Sequence, residues 1–311
     1  MDVICMGRVG MDLYSVEEET PFSQVGQLRK SFGGSPGNIA VGTSRLGVKV
    51  GFIGKLSDDM IGRAVREFLI SEGVDTSQIA IDSSGGRTSL AITETKADDC
   101  SVVIYRNSAS DLLLEENEIS EDYISRSRLL MVSGTALSAS PSREAVMKAV
   151  QIARDKKVKV FTDLDYRPYS WPDRKTTAQV YQAIAAQTDY LVGNTEEFEC
   201  FDSVEKDPHA LARKLIRQGL TAVTIKEGKD GSTTHTKEGE IFARPFPVKA
   251  KKPFGAGDAF ASAYIYGILS GLPVEEYAQL GSAAAAIVVT RFGCAESMPN
   301  LHEIKEFIAG Y

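Results

Sequence analysis

Short runs of apolar, largely β-branched residues alternate along the chain with stretches whose apolar positions recur at helical spacing. This pattern predicts a sheet covered by helices on both faces. Residues 3–6 read as the first strand, and 48–53, 129–132, 158–162, 190–192 and 222–225 as further buried strands. Gly33, Gly34 and Gly37 precede a helix over 39–46. Another helix is predicted over 143–156, where Ala145, Ala149, Ile152 and Ala153 share one stripe and Ser140 and Pro141 take the N-cap and N1 positions. Strand–helix–strand alternation implies a mainly parallel sheet.

Two segments break this rhythm. Residues 12–32 are polar, acidic and weakly periodic, while 88–95 and 101–106 are short β-type runs around a turn-like stretch at 96–100. Together, about 12–32 and 87–107 predict a small sheet projecting from the main body as a flap over a ligand. No repeat or linker divides residues 1–311, so one domain is expected.

Composition narrows the partners. With 43% hydrophobic and 25% charged residues the chain is of ordinary globular type. Its 42 acidic and 35 basic residues give a net charge of −7 with no Lys/Arg block, which argues against nucleic acid. The N-terminus lacks a basic stretch followed by an apolar core, and no apolar run reaches membrane-spanning length, so a soluble cytoplasmic protein with no membrane partner is expected. Cys5, Cys100, Cys200 and Cys294 are isolated singletons, which argues against a zinc site or disulfide framework and fits a reducing compartment.

The strongest chemical signal is Phe254-Gly255-Ala256-Gly257-Asp258, followed by a small, apolar helical run that stops at Gly271 and Pro273. Glycines opening a helix let backbone N–H groups approach a phosphate. Asp258 at that place suits a base that takes the proton of an attacking hydroxyl while residues 255–257 hold the phosphoryl group; a capped turn is the plainer alternative. The second signal is Gly33-Gly34-Ser35-Pro36-Gly37-Asn38, in which the Asn38 amide both donates to and accepts from polyol hydroxyls. Neither a Gly-x-x-x-x-Gly-Lys-Ser/Thr loop nor a full Gly-x-Gly-x-x-Gly occurs, which disfavours a dinucleotide-dependent oxidoreductase.

These two motifs, about 220 residues apart, resemble the paired signatures of the ribokinase-like (PfkB) carbohydrate kinases, and the likeness continues in order along the chain. It implies an α/β three-layer sandwich with a mostly parallel sheet and a β-lid, ATP and Mg²⁺, and a small-molecule sugar substrate; because a flap with strand edges often pairs with its twin, a homodimer through the lid is expected as well. By the same resemblance Asp12, Gly33, Gly34 and Asn38 bind the sugar, and Asp258 with Gly255, Ala256 and Gly257 is catalytic. Asn194 and Glu197 are similar to the family's magnesium and phosphate motif, with an ordinary helix-capping pattern as the alternative, and Lys226, Gly228 and Gly231 to its nucleotide strand and turn. Asp163-Leu164-Asp165-Tyr166-Arg167-Pro168 with Trp171, together with Tyr105-Arg106, resembles members that act on keto-deoxy sugar acids, so Asp163, Tyr105, Arg106 and Arg167 are expected at the substrate and the two arginines on its carboxylate. Kinases of other sugars, and a sugar sensor on the same fold, are the competing readings.

Two departures from the family pattern stand out. Lys252-Pro253 replaces an Asp-Thr pair common there, which places a fixed positive charge where potassium activation would act. Arg8 replaces a common acid, leaving Asp12 as the nearby sugar-binding carboxylate.

Overall fold

The computed structural model describes residues 1–96, 101–201, 205–252 and 254–311; Cys100, Pro253 and most of the turn expected at 96–100 lie outside them. The first strand, β1 (Val3–Met6), is wholly apolar because both its faces are covered. Val3 and Cys5 pack into one hydrophobic cluster, Ile4 and Met6 into the other. Strands β2 (Gly10–Ser15) and β3 (Leu28–Gly33) then leave the main body, and α1 (Ser35–Arg45) returns to it. After β4 (Val50–Ser57), α2 (Met60–Ser71) and β5 (Asp75–Asp82), the chain departs again as β6 (Leu90–Thr93) and β7 (Val102–Tyr105).

From here the alternation is regular. Helix α3 (Glu121–Ser125) leads to β8 (Leu129–Ser133), α4 (Ser142–Asp155), β9 (Lys159–Asp163) and α5 (Arg174–Ala185). Then follow β10 (Tyr190–Asn194), α6 (Thr195–Glu199), α7 (Pro208–Gln218) and β11 (Ala222–Lys226). Strands β12 (Ser232–His235) and β13 (Glu240–Ala243) close one edge, and α8 (Ala256–Ser270), α9 (Val274–Val289) and α10 (Leu301–Ala309) end the chain.

The nine-stranded sheet runs β13, β12, β11, β10, β9, β8, β1, β4, β5. Its strands are parallel from β11 to β5 and antiparallel at the β12–β13 edge. Residues of α1, α2, α8 and α9 cover one face and those of α4, α5 and α7 the other, as the alternating pattern requires. The expected flap is a separate four-stranded sheet in the order β3, β2, β6, β7. No helix among the described residues is long and apolar enough to cross a membrane.

One helix start differs from expectation. Pro141, not Ser140, is the N-cap of α4, and the Ser140 hydroxyl donates to the Glu144 carboxylate at 2.8 Å instead of capping backbone. The buried Ser142 hydroxyl donates to the Ala136 carbonyl at 2.7 Å, which anchors the first turn one residue later.

Candidate active site

The parallel strands end along one edge of the large sheet, where open α/β folds place their ligands. Arg8 follows β1, Thr135 follows β8, Asp163 ends β9, Asn194 ends β10 and Lys226 ends β11. Strand register sets Ser133 beside Asp163 and Asn194 beside Lys226. The flap lies over this edge: Ala91, Thr93, Val102 and Ile104 share a cleft of about 1000 Å³ with the strand ends and the start of α8.

Helix α8 opens on Gly255, whose φ of +86° is a left-handed conformation that glycine adopts without strain. The N–H groups of residues 256–258 in the first turn have no preceding helical carbonyl to bond, so they are available to an anion. Asp258 sits on this turn facing the cleft, and Asn38 from α1 donates its amide to Oδ2 at 2.7 Å. Desolvation, then the nearby Asp165 charge, pushes the Asp258 carboxyl up to about 6 against the opposing Asn38 bond. At neutral pH Asp258 is therefore a carboxylate with one oxygen held by Asn38, the state a base requires.

On one side of Asp258 four buried polar atoms lining the cleft have no hydrogen-bond partner: Arg8 Nη2, Asp12 Oδ1, Ser35 Oγ and Asn38 Oδ1. Buried polar groups are nearly always paired, so such a set leaves hydrogen-bonding capacity for a polar ligand to complete. Burial pushes the Asp12 carboxyl up to about 6, with Arg8 acting in the other direction. Gly33 serves this carboxylate from behind, because a Cβ there would stand 2.0 Å from Asp12 Oδ2.

Three arginines gather at the same end. Arg106 is buried, with Nε and Nη2 donating to Asp111 Oδ2 at 3.0 and 2.6 Å and Nη2 also to the Thr135 carbonyl at 3.0 Å. Arg167 pairs with Asp165 at 2.9 Å. Asp165 also accepts from the Ser133 and Thr135 hydroxyls at 3.0 Å each. Burial opposes ionisation of Asp165, yet Arg167 and the two hydroxyls outweigh it and hold the carboxyl below its usual range. Burial raises the Tyr169 hydroxyl, while Arg167, Arg8 and Arg106 all oppose the rise, so the three guanidinium groups surround one region.

On the other side Lys226 Nζ lies 3.5 Å from Asp163 Oδ2. Burial pushes Asp163 and Glu197 upward, against the pull of Lys226. Asn194 and Glu197 form a reciprocal cap on α6: the Glu197 N–H donates to Asn194 Oδ1 at 2.8 Å, and the Asn194 N–H to Glu197 Oε2 at 2.7 Å. Glu197 Oε1 accepts the Tyr166 N–H at 3.1 Å. Beyond them Gly228, Gly231, Ser282, Ala285, Ala286 and Val289 make a wall of small and apolar groups.

Gly34, Asn38, Asp12, Arg106, Asp163, Arg167, Asn194, Glu197, Lys226, Gly228, Gly231 and residues 255–258 all line this cleft. Two expected residues do not. Gly33 sits behind Asp12, and Tyr105 is 59% exposed because the pleat of β7 turns it away from the face carrying Val102 and Ile104. Sequence reasoning missed Tyr14, Thr135, Asp165 and Tyr169 as lining residues. Asp165 and Tyr169 carried a signal by standing beside Arg167; Thr135 is brought in only by the fold. Lys252 is buried, with Nζ donating to the Phe254 carbonyl at 2.6 Å, so its ammonium is bonded to the turn that leads into Gly255.

An acid at an anion-binding helix start, facing unpaired polyol-type partners at the carboxyl edge of a parallel sheet, is the apparatus for moving a phosphoryl group onto a sugar. Residues 1–301 match the model of the pfkB family carbohydrate kinases, and the chain belongs to that family. Its fold is ribokinase-like, and it is a carbohydrate kinase. Over 311 residues it is 44% identical to the 5-dehydro-2-deoxygluconokinase of Bacillus licheniformis, covering 99% of this chain and 96% of that one. Over 310 residues it is 43% identical to the Bacillus subtilis protein of the same name, covering 99% and 95% of the two chains. The crystal structure of a PfkB protein from Polaromonas sp. JS666, 26% identical, superposes with a TM-score of 0.85 over 96% of this chain and 99% of that one.

Proposed function

We propose that this kinase phosphorylates 5-dehydro-2-deoxygluconate on its primary hydroxyl with ATP as donor, a step of myo-inositol catabolism. The observation that carries this reading is the set of unpaired cleft atoms, a guanidinium among them, next to Asp258 on its anion-binding turn. The relatives of the same name support the choice of acid.

In this reading Asp12 and Asn38 bind sugar hydroxyls. Asp258 takes the proton of the attacking hydroxyl as the new O–P bond forms and the bond to the departing ADP breaks. The free N–H groups of the first turn of α8 hold the transferring phosphoryl. Lys226 Nζ, 3.1 Å from where a Cβ on Gly257 would stand, faces the same charge. The flap excludes water, which would otherwise compete with the sugar for the phosphoryl group. Gly228, Gly231 and the small residues of α9 receive the nucleotide.

Among the described residues no three His, Cys, Asp or Glu side chains form a closed metal cage. Of the expected pair Asn194 and Glu197, Asn194 Oδ1 is engaged by the Glu197 N–H, so Asp163 is put forward with Glu197 as the residues that would hold Mg²⁺, which takes one or two carboxylates and fills its shell with phosphate oxygens and water. Burial holds both carboxyls above their usual range, and a cation there would favour their charged forms. These residues would hold the ion where it would supply positive charge against the phosphates of the donor. We further propose a cytoplasmic homodimer: Cys5, Cys200 and Cys294 are free and buried, and the outer face of β7 exposes Val103 and Tyr105 at 56% and 59%, an apolar surface that a second copy covers.

The reading is tested by phosphorus NMR of the product made from the purified protein, ATP and the acid. The expected product carries one phosphorus coupled to two methylene protons, with one ADP formed per ester. ADP without an ester, or a phosphorus coupled to a single carbinol proton, overturns it.

A further inference from the structure

We propose that Arg8 reads the carboxylate of the substrate. This rests on the sugar-acid reading above, and it assigns the contact to a different residue from the two arginines that the sequence motifs single out. Arg106 is committed through Nε and Nη2 to Asp111 and the Thr135 carbonyl, and Arg167 is charge-paired with Asp165, which is itself fixed by two hydroxyls. Arg8 has no carboxylate within ion-pair distance among the described residues, though it lines the cleft and is 8% exposed. Its Nε donates to Ser89 Oγ at 2.7 Å, and Nη2 has no partner. A buried guanidinium left this way is unfavourable unless a ligand supplies the missing charge. A carboxylate matches its fork with two parallel hydrogen bonds.

The local chain is arranged to hold Arg8 in this state. A Cβ on Gly10 would stand 2.6 Å from Ser89 Oγ, so glycine at that position lets the Ser89 hydroxyl reach Nε. The Arg8 carbonyl accepts the Gly37 N–H at 3.3 Å, which ties the residue to the helix that carries Asn38. The guanidinium is thus anchored at Nε while its terminal nitrogens stay free of protein acids. Asp12 stands in the field of Arg8 without contacting it, and its own unpaired oxygen is left for a sugar hydroxyl.

The test compares kcat/KM for 5-dehydro-2-deoxygluconate and its C1 carboxamide in wild type, Arg8→Met and Arg8→Lys, with ATP binding and the thermal midpoint measured on each. If wild type shows no preference for the acid, the sugar-acid reading itself fails, whatever Arg8 does. Given that preference, Arg8→Met is expected to lower kcat/KM on the acid at least about tenfold, mainly through KM, and on the carboxamide by less than about threefold. Arg8→Lys keeps the charge and loses the fork, so part of the preference returns; should Arg8→Met not fold, a preference reduced at least about threefold in Arg8→Lys carries the same conclusion. An acid preference unchanged in the variants, or equal losses on the two substrates, overturns the assignment.

Discussion

Asp258→Asn is expected to lower kcat by roughly 10² to 10⁴, while ATP affinity stays within about twofold. The amide keeps the shape and still presents an oxygen to the Asn38 donor, whose bond to Oδ2 is 2.7 Å in the native chain. What it loses is the capacity to accept the hydroxyl proton. The same carboxyl sets the acid limb of the pH profile. Desolvation raises it to about 6, so the protonated, inactive form accumulates as pH falls through that value and activity rises from there toward neutrality. Single-turnover rates across that range check both halves. A variant with near wild-type turnover removes Asp258 from the chemistry, and a limb unmoved by the substitution assigns it to another group, of which Asp12 and Asp163 are also raised by burial.

The second large effect is on stability. Asp111→Ala is expected to cost about 3–5 kcal/mol, because it strands the Arg106 guanidinium in a site where both side chains are under a tenth exposed. Arg106 directly follows β7 and bonds the Thr135 carbonyl beyond β8, so this pair fastens the flap's last strand to the main sheet. Urea unfolding measures the loss. The double variant Arg106→Met/Asp111→Leu should recover part of it, since removing both charges leaves nothing buried and unpaired. A loss below about 1 kcal/mol for Asp111→Ala, the size expected of an exposed pair, contradicts this account.

Most of the fold was legible because the strands are covered on both faces: the run 3–6 is apolar throughout and 222–225 is interrupted only by Thr224, and this survives any error in register. The site was legible where glycine forces backbone geometry, as at Gly255, and where an acid follows it directly, as at Asp258. Other features depend on choices that spacing alone does not make. Tyr105 and Ile104 are neighbours with opposite outlooks, and only the pairing of β7 with β6 decides which faces the cleft. The Asn194–Glu197 pattern reads equally as a phosphate motif or a helix cap, and the structure forms the cap. Arg106 and Arg167 stood out by motif, yet their acids, Asp111 and Asp165, lie only a few residues away and engage them. Arg8 registered only as a missing acid, because the absence of a partner is visible only once every neighbour is in place.

An internal competition separates a sugar-acid kinase from a general sugar kinase. Equal concentrations of 5-dehydro-2-deoxygluconate, 2-keto-3-deoxygluconate and fructose are offered together with limiting ATP, so that the product ratio gives the ratio of kcat/KM values. 5-Dehydro-2-deoxygluconate 6-phosphate is expected to predominate, exceeding fructose phosphate at least about tenfold, because a neutral sugar leaves the buried guanidinium unpaired. Fructose phosphorylated as readily as either acid contradicts the sugar-acid reading.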